Sequence, residues 1–355
     1  MGRRIEFAAS SWIVRQAPRE LRAPALSVLM PLRNEERHLP EALASMARQT
    51  HEDWELIALD DGSTDATARI LAQAAARDRR IRPFKNPGSG LVTALNFGLG
   101  RCASDLVARM DGDDISHPRR FEKQIAHLNR QPQTSLVACG FRHFPRPAIT
   151  DGMLAYELWQ NRILDTETVQ RDLFVESPFV HPSVMYRKEA VLQVGGYRDM
   201  GWAEDYDLWL RLAGSGHRME KLPECLFFWR DRAERLTRTA AHCSLDAFRA
   251  CKAHHLKEGY LKGVRSVCLW GAGDEGKAWR KALEAEGIGV HRWIEVHPGR
   301  IGQRIAGARV ESYETLRPGC GPLLLCIGTK GARQQVRDWT RERGILEGRD
   351  FICVT

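Results

Sequence analysis

Short apolar segments alternate with amphipathic segments along the first half of the chain. The apolar runs predict strands at 26–30, 54–59, 81–84 and 106–110, and the amphipathic runs predict helices at 39–49, 66–77 and 90–99. Strands that alternate with helices favour a parallel sheet joined by right-handed crossovers. The pattern therefore predicts an α/β fold for this half.

Acidic residues follow two of these strands at the point where each strand ends. Asp111, Asp113 and Asp114 come after the 106–110 strand, and Asp60 and Asp61 come after the 54–59 strand. The carboxyl ends of parallel strands meet at one edge of the sheet, where ligands bind in open α/β folds. Oxygen ligands of this kind suit Mg²⁺ or Mn²⁺. A capped turn is the alternative interpretation, because Asp and Gly are also turn residues.

The alternating pattern continues to residue 139 and then breaks. A helix at 119–130 and a strand at 135–139 are followed by an irregular stretch, 141–178, with an amphipathic piece at 156–164. A long excursion inside a compact domain is usually functional. The pattern resumes with a strand at 184–186 and a helix at 188–194. A helix over 204–212 then opens with Glu204 and Asp205, where carboxylates also suit a helix start.

The last third of the chain predicts a second, smaller α/β unit. A helix at 240–259 precedes a strand at 266–270, which runs into a Gly-x-Gly-x-x-Gly turn made by Gly271, Gly273 and Gly276. Glu295 follows at about the spacing of a ribose-binding acid. Strands at 322–327 and 351–354 flank a helix at 332–343. These features resemble the small nucleotide-binding Rossmann-like domains appended to bacterial sugar-modifying enzymes, although such turns also occur where nothing binds.

Length and composition support two domains. The chain has 355 residues, which is long for one core. We expect a basic N-terminal arm at 1–24, a main domain at 25–239, a linker helix at 240–262 and a Rossmann-like domain at 263–355. The arm contains Phe7, Trp12, Ile13 and Val14, which pack onto their own domain or touch a membrane surface.

Several motifs in the main domain occur together in one order. They are Pro31-Leu32-Arg33-Asn34-Glu35, Asp60-Asp61-Gly62-Ser63, Asn96, Asp111-Gly112-Asp113-Asp114, Pro118, His181-Pro182-Ser183, Gly195-Gly196-Tyr197 and Glu204-Asp205-Tyr206-Asp207-Leu208-Trp209. In this order they resemble the family 2 glycosyltransferases, which are inverting enzymes of the GT-A fold. The resemblance covers roughly residues 25 to 239.

The resemblance implies a role for each matching residue. Asp205, preceded by Glu204, would be the catalytic base, and Asp111 and Asp113 would hold Mn²⁺ or Mg²⁺. The residues implied in donor binding are Pro31, Asn34, Glu35, Asp60, Asp61, Asn96, Asp111, Gly195 and Gly196, and Arg230 and Arg232 are added to this set from the segment described next. Of Asp60 and Asp61, either one borders the nucleobase pocket, while Gly195 and Gly196 would let the donor sugar approach the backbone.

One segment departs from the family pattern. Many relatives carry Tyr-Arg-x-His after the base, and this chain has Trp229-Arg230-Asp231-Arg232. Arginine cannot ligate a cation, but it binds phosphate directly. We therefore predict that Arg232, together with Arg230, contacts the donor diphosphate.

Charge and cysteine content agree with a nucleotide-using cytoplasmic protein. The formal net charge is +8, from 53 Lys and Arg against 45 Asp and Glu, which suits an anionic nucleotide donor or an acidic membrane face. The chain has no basic stripe with interleaved aromatic residues, so we do not expect it to bind nucleic acid. The nine cysteines form no Cys-x-x-Cys pair, and no apolar run approaches the ~18 residues of a membrane span. We expect a cytoplasmic location. Peripheral contact with the inner face of the membrane is a further option.

The expected function is transfer of a hexose-type sugar from a nucleotide-diphosphate donor, with a UDP sugar favoured, to a hydroxyl of a glycan or lipid-linked acceptor. Bacterial cell-surface polysaccharide synthesis is the setting that the resemblance implies. Two alternatives remain at this point. A nucleotidyltransferase also uses an acidic α/β site, although no Gly-rich turn with Arg and Lys follows the first strand. A non-catalytic protein that binds sugar nucleotides is the other.

Overall fold

The structure consists of two sheets, each covered by helices. The computed structural model describes residues 22–232, 235, 240–329 and 331–355. The predicted basic arm, with Phe7, Trp12, Ile13 and Val14, therefore lies almost wholly outside the described residues. The two sheets are formed from consecutive parts of the chain, residues 26–230 and 266–353.

The first sheet has eight strands. They are β1 (Leu26–Leu32), β2 (Trp54–Asp60), β3 (Ile81–Lys85), β4 (Leu106–Arg109), β5 (Ile115–Ser116), β6 (Thr134–Phe144), β7 (Met185–Arg187) and β8 (Arg218–Arg230), in the spatial order β3-β2-β1-β4-β7-β6-β8-β5. The helices are α1 (Leu39–Ala47), α2 (Thr67–Arg77), α3 (Leu91–Arg101), α4 (Arg120–Arg130), α5 (Asp151–Gln160), α6 (Thr166–Asp172), α7 (Lys188–Gln193) and α8 (Glu204–Gly214).

Hydrophobic cores on both faces explain why β1 is apolar at successive positions. Val28 belongs to the core on one face, and Leu29 belongs to the core on the other. Both side chains are fully buried. A strand covered on both faces has no polar face, so it shows a continuous apolar run instead of alternation.

The expectation of a parallel sheet is correct for β1 to β4 and for the β6–β8 pair, and wrong for β5 and β7. The pairs β1–β2, β1–β4 and β2–β3 are parallel, whereas β7 runs antiparallel to both β4 and β6. The long strand β8 was not predicted, because Pro223 and Glu224 interrupt its apolar pattern. On the paired strand β6, a register shift between Cys139 and Gly140 accommodates that interruption. The sheet is therefore mixed.

Strand β3 lies at one edge of this sheet. Its residues Arg82, Pro83 and Lys85 are exposed, while Ile81 is buried. The Arg82 guanidinium forms an ion pair with Glu55 of the neighbouring strand. Among the described residues only β2 pairs with this strand, so its outer side faces away from the sheet.

The second sheet has six strands. They are β9 (Ser266–Trp270), β10 (Gly289–Glu295), β11 (Arg304–Ile305), β12 (Ala308–Ser312), β13 (Leu323–Leu325) and β14 (Phe351–Cys353), in the order β11-β12-β10-β9-β13-β14. The helices of this part are α9 (Leu245–Glu258), α10 (Asp274–Ala285) and α11 (Ala332–Glu342). All pairs except β11–β12 are parallel. The two short strands β11 and β12 were not predicted.

Helix α9 joins the two sheets by contributing to the core of each. Cys251 belongs to a core of the first domain, whereas Ala253 and Leu256 belong to the core of the second. His255 Nε2 also lies 3.0 Å from Asp207 Oδ1 on α8. The predicted fold class, a larger α/β domain followed by a smaller Rossmann-like α/β domain, is confirmed.

Candidate active site

A cavity of about 550 Å³ lies where β1, β4 and the start of α8 converge. Among the predicted site residues, those that line it are Pro31, Glu35, Asp61, Asp111, Asp113, Glu204, Asp205 and Arg232. The acids that follow the strands and the acids that open α8 are thus brought to one space. Packing alone does not require this arrangement, because buried carboxylates are costly to desolvate.

Asp60 and Asp61 occupy different environments. Asp61 lines the cavity, accepts hydrogen bonds from Asn86 Nδ2 at 2.6 Å and Gly90 N at 3.0 Å, and lies 3.9 Å from the Arg33 guanidinium. Asp60 accepts a hydrogen bond from Ser63 N at 3.1 Å, within its own loop. Of the two acids, Asp61 is therefore the one in a position to meet a ligand.

Asn34 joins the loops that follow β1 and β2. Its backbone N–H donates to Ser63 Oγ at 3.0 Å, and its Oδ1 accepts from Thr64 N at 2.8 Å. Its φ of 56° is left-handed, a conformation that asparagine tolerates better than most residues. These bonds give Asn34 a role in shaping the loop edge of the cavity.

Asn96 holds the turn that contains Gly195 and Gly196 through Tyr197, the residue that follows it. Asn96 Nδ2 donates to Tyr197 O at 2.8 Å, and its Oδ1 accepts from Tyr197 N at 3.0 Å. A Cβ at Gly196 would lie 2.7 Å from Asn96 Oδ1, and both glycines have positive φ. These three residues are outside the cavity lining formed by the described residues, and a role for them in donor binding stays a prediction.

Arg109 is a buried cation at the centre of the site. Its Nη2 donates to Asp111 Oδ1 at 2.7 Å, and its Nη1 donates to Leu29 O and Met110 O, each at 2.8 Å. Only 1% of Arg109 is exposed. A buried guanidinium with this many acceptors fixes the position of the Asp111 carboxylate.

Arg232 pairs with two carboxylates that come from different loops. Its guanidinium bonds to both oxygens of Glu35, and its Nε lies 2.9 Å from Asp113 Oδ2. Burial raises the pKa of Glu35 to about 7, opposed by the hydrogen bond from Arg232 and reinforced by the charge of Asp113. Burial and the charge of Asp111 also raise the pKa of Asp113. The four side chains make one charge network.

The carboxylates here fit a hard divalent cation. Asp114 is buried, and its Oδ1 accepts from Arg230 N at 2.7 Å, while its Oδ2 has no hydrogen-bond partner among the described residues. Burial, followed by the charges of Asp113 and Asp111, raises the pKa of Asp114 well above its usual range. Glu35, Asp113 and Asp114 all have a raised pKa, which indicates a shortage of positive charge that Mg²⁺ or Mn²⁺ would supply through oxygen ligands.

Arg230 forms its ion pair outside this cluster, with Glu41 of α1. Its Nη2 lies 2.5 Å from Glu41 Oε2, and its Nε donates to Asp113 O at 2.6 Å. Its guanidinium also stacks over Phe144 at 4.4 Å. The structure thus separates the two arginines that the sequence grouped, since Arg232 lines the cavity and Arg230 is outside its described lining.

Glu204 and Asp205 stand at the first turn of α8. Asp205 Oδ1 accepts from Tyr206 N at 2.7 Å. Burial, and then the neighbouring charge of Glu204, raises the pKa of Asp205 to about 6. A carboxylate with this pKa is ionised at neutral pH and is basic enough to take a proton from a hydroxyl in a transition state.

His181 connects Arg109 to Glu204. The Nε–H of Arg109 donates to His181 Nε2 at 3.1 Å, so the ring proton lies on Nδ1, which is 3.3 Å from Glu204 Oε1. Burial, and then the charge of Arg109, lowers the pKa of His181 to about 3, so the ring is neutral. Tyr197 contributes a hydroxyl 3.1 Å from Nε2. This chain of contacts holds Glu204 beside Asp205.

Sequence reasoning gave no role to several residues of the lining. They are Arg109, Tyr156, Glu176, Ser177, Trp229, His242 and Cys243. For Arg109 a signal existed, because an arginine inside an otherwise apolar strand implies a buried partner. Tyr156 lies in α5 and Trp229 in β8, while the remaining four lie outside the long helices and strands, and none of these positions carries a local pattern that places it at the cavity.

The predicted nucleotide-binding glycines of the second domain are largely explained by the packing of their own turn. A Cβ at Gly276 would lie 1.9 Å from Gly271 O, and one at Gly271 would lie 2.7 Å from Cys326 O. At Gly273 the nearest atom, Arg300 Nη1, is 3.7 Å away. Glu295 accepts from Val296 N at 2.8 Å and lies 3.2 Å from Arg300 Nη1. Nucleotide binding by these four residues stays a prediction.

Comparisons with known proteins agree with the fold and the acidic cavity. Residues 27–195 match the model of the family described as glycosyl transferase family 2. The chain is 34% identical over 238 residues to the putative glycosyltransferase EpsE of Bacillus subtilis. The aligned region covers 64% of this chain and 82% of that protein. The chain belongs to glycosyl transferase family 2, and its class of activity is glycosyl transfer. The predicted resemblance is confirmed, and the nucleotidyltransferase and non-catalytic alternatives are set aside.

Other relatives have more specific names. The amylovoran biosynthesis glycosyltransferase AmsE of Erwinia amylovora is 34% identical over 56% of this chain and 74% of its own length. The UDP-Gal:alpha-D-GlcNAc-diphosphoundecaprenol beta-1,3-galactosyltransferase of Escherichia coli is 30% identical over 57% and 73%. Residues 1–349 of S. aureus TarS, solved in complex with UDP-GlcNAc, give a TM-score of 0.54 at 17% identity over 74% of this chain and 71% of that one. That last likeness concerns the fold.

Among the residues that the structure describes, no helix is both long enough and apolar enough to cross a membrane.

Proposed function

We propose that the chain is an inverting, metal-assisted glycosyltransferase that moves a sugar from a nucleoside-diphosphate donor, of the UDP type, to a hydroxyl of a glycan or lipid-linked acceptor. One observation carries the proposal. The cavity places Asp205, a carboxylate with a pKa of about 6, in the same space as the Asp111 and Asp113 pair. A proton acceptor and a cation-binding pair are the two requirements of this reaction.

The donor side of the cavity would bind the nucleotide. Pro31 and Asp61 line it next to the loops that follow β1 and β2, and Gly90 precedes the first residue of α3. A divalent cation held by Asp111 and Asp113 would neutralise the charge that the leaving diphosphate gains. Arg109 keeps the Asp111 carboxylate in place through the 2.7 Å bond.

Arg232 is proposed to contact the donor diphosphate. Its guanidinium now bridges Glu35 and Asp113, so it lies beside the carboxylate that would hold the cation. A guanidinium binds two phosphate oxygens at once, in the manner in which it binds Glu35 here. If the donor diphosphate replaced the Glu35 carboxylate as its partner, Arg232 would remain fully paired.

Asp205 is proposed to take the proton of the acceptor hydroxyl as that oxygen attacks the anomeric carbon from the face opposite the diphosphate. Attack from that face inverts the anomeric configuration. His181, which is neutral, keeps Glu204 oriented, and the charge of Glu204 keeps Asp205 basic. General-base catalysis of this kind contributes ~10²–10⁴-fold.

The names of the relatives support the substrate classes and the pathway. The E. coli relative is named for a UDP-Gal donor and a lipid-linked GlcNAc acceptor, and the Erwinia relative is named for amylovoran biosynthesis. A role in bacterial cell-surface polysaccharide synthesis, near the inner face of the membrane, is proposed by analogy with these proteins.

The test measures transfer and UDP release with a panel of UDP sugars in the presence of Mn²⁺. We expect Asp205→Asn to lower transfer about 10²–10⁴-fold while UDP affinity stays within about twofold. Asp199→Asn is the matched control, because Asp199 is an exposed acid before the same helix. Full activity of Asp205→Asn would contradict the proposal.

A further inference from the structure

One wall of the cavity is built jointly by both domains. The segment 172–177 begins at the last residue of α6, and its residues Glu176 and Ser177 line the cavity. Between them and α6, Val175 is buried in a hydrophobic core of the C-terminal domain, together with Leu325 and Val336. The backbone of this wall is therefore anchored outside the domain that contains the catalytic acids.

A buried ion pair fixes the start of the segment. Arg337 of α11 donates from Nη2 to Asp172 Oδ1 at 2.6 Å and to Glu347 Oε1 at 2.7 Å. Asp172 and Arg337 are 3% and 9% exposed. Asp172 also pairs with its neighbour Arg171 at 3.0 Å, so Arg337 is the partner that links this buried carboxylate to the second domain.

Lys252 fixes the middle of the segment. From α9, its Nζ donates to Val175 O at 2.7 Å and to Val354 O at 3.4 Å. The lysine is buried, and its two acceptors belong to the 172–177 segment and to the end of the C-terminal sheet. One side chain thus ties the cavity wall to the second domain.

The opposite side of the segment is tied to the helix that carries the base. Tyr206 Oη donates to Leu173 O at 2.6 Å, and Tyr206 follows Asp205 directly in α8. The donor-side acids come instead from the loops after β1, β2 and β4. This placement assigns the 172–177 wall to the side of the cavity where the acceptor hydroxyl must approach Asp205.

We propose that the C-terminal domain positions the acceptor, because Arg337 and Lys252 hold the wall from which Glu176 and Ser177 contact the hydroxyls of a glycan acceptor. The inference rests on the proposed function and extends it to the second domain. The Glu176 carboxylate can accept from sugar hydroxyls, and the Ser177 backbone N–H, 2.9 Å from Glu176 Oε1, orients that carboxylate. Carboxylates are strong acceptors for such groups.

The first experiment compares arginine variants of α11 in the full chain. Arg337→Ala is expected to raise the acceptor KM about tenfold, as loss of a contact to a charged group does, with kcat and UDP affinity within about twofold. Arg341→Ala is the control, because Arg341 is exposed on the same helix and pairs only with Asp338 among the ion pairs seen there. Arg337→Lys, which keeps the charge, should lie between Arg337→Ala and wild type.

The acceptor probes are p-nitrophenyl glycosides and a synthetic GlcNAc-diphosphate alkyl ester, and hydrolysis of the donor by water is measured separately. A raised acceptor KM with unchanged hydrolysis supports the proposal. An unchanged acceptor KM in Arg337→Ala overturns it. Absence of both transfer and hydrolysis in the wild type would instead refute the proposed function.

A second variant guards against loss of folding. Glu176→Gln leaves Arg337 and Lys252 in place, so the melting temperature should stay near that of the wild type while the acceptor KM rises. Hydrogen exchange of peptides covering 172–177 should increase in Arg337→Ala and remain unchanged in Glu176→Gln. Equal exchange in all three proteins, or an unchanged KM in Glu176→Gln, would contradict the positioning role.

Discussion

His181 Nδ1 lies 3.3 Å from Glu204 Oε1, and its other ring nitrogen accepts from Arg109. This contact places a neutral ring between a buried cation and the carboxylate that precedes the proposed base. Because the ring carries no charge, it orients Glu204 without neutralising it. Burial raises the pKa of Glu204, and the ionised Glu204 carboxylate in turn raises the pKa of Asp205.

The pH dependence of transfer should report this arrangement. Asp205 must be ionised to accept a proton, so activity should fall as the pH drops through about 6. In Glu204→Gln the neighbouring negative charge is lost and the pKa of Asp205 falls. We therefore expect the acid limb of the kcat/KM profile to move to lower pH.

The charged or titratable groups that affect the pKa of Asp205 are Glu204, His181 and Arg109. The Glu204→Gln substitution changes only the first of these. Asp199→Asn serves as the control and should leave the profile where it is. A midpoint that stays in place or rises in Glu204→Gln would mean that Asp205 is not the titrating base.

Replacing Asp113 should uncouple nucleotide binding from the cation. In the wild type, Mn²⁺ is expected to tighten UDP binding, and a chelator is expected to abolish transfer. Asp113→Asn should reduce the Mn²⁺-dependent gain in UDP affinity at least about tenfold, because a charged ligand oxygen is lost. Isothermal titration with and without Mn²⁺ measures this gain. Asp105→Asn, an exposed acid before β4, should behave like the wild type, and full activity in excess chelator would refute metal assistance.

Arg232→Ala should weaken binding of the diphosphate and leave binding of the nucleoside nearly unchanged. A bidentate charge-assisted contact contributes about 1.5–3 kcal/mol, which corresponds to about ten- to a hundredfold in affinity. UDP and uridine titrations give the comparison, and Arg142→Ala, at an exposed arginine of β6, is the control. If Arg232→Ala and the wild type bind UDP equally, Arg232 serves only its ion pairs with Glu35 and Asp113.

Substitution by alanine should affect stability differently at two glycines of the C-terminal turn. At Gly276 a Cβ would lie 1.9 Å from Gly271 O, so Gly276→Ala should cost roughly 1–3 kcal/mol and lower the melting temperature by several degrees. At Gly273 a Cβ would make only an ordinary contact, 3.7 Å from Arg300 Nη1, and φ is negative, so Gly273→Ala should change stability by less than about 0.5 kcal/mol. Calorimetry of both variants measures the difference. Equal melting temperatures would show that the turn rearranges.

Local sequence pattern was sufficient for most elements and for the main clusters of acids. The strand that ends before Asp111 and the helix that opens at Glu204 both carry signals within a few residues. The pairing of Asn96 with Tyr197, and of Arg232 with Glu35, joins residues 101 and 197 positions apart. Such contacts depend on how the sheet is assembled, so no local pattern could provide them.

The same limit explains the errors in the excursion after β6. The amphipathic piece expected at 156–164 is in fact the end of α5 followed by a turn and then α6. Its buried positions face two partners, since Trp159 packs against a core of the first domain and one of the second. A helix with two partners has no single apolar stripe, and its periodicity is weak for that reason.

The edge strand β3 has a consequence for concentrated solutions of this protein. Exposed strand edges are templates on which a second chain can add its own strand, which leads to aggregation. Pro83 has no N–H to offer such a strand, and Arg82 and Lys85 bring two positive charges to the same short edge. Two copies that met edge to edge would repel each other there, so this end of the larger sheet resists self-association.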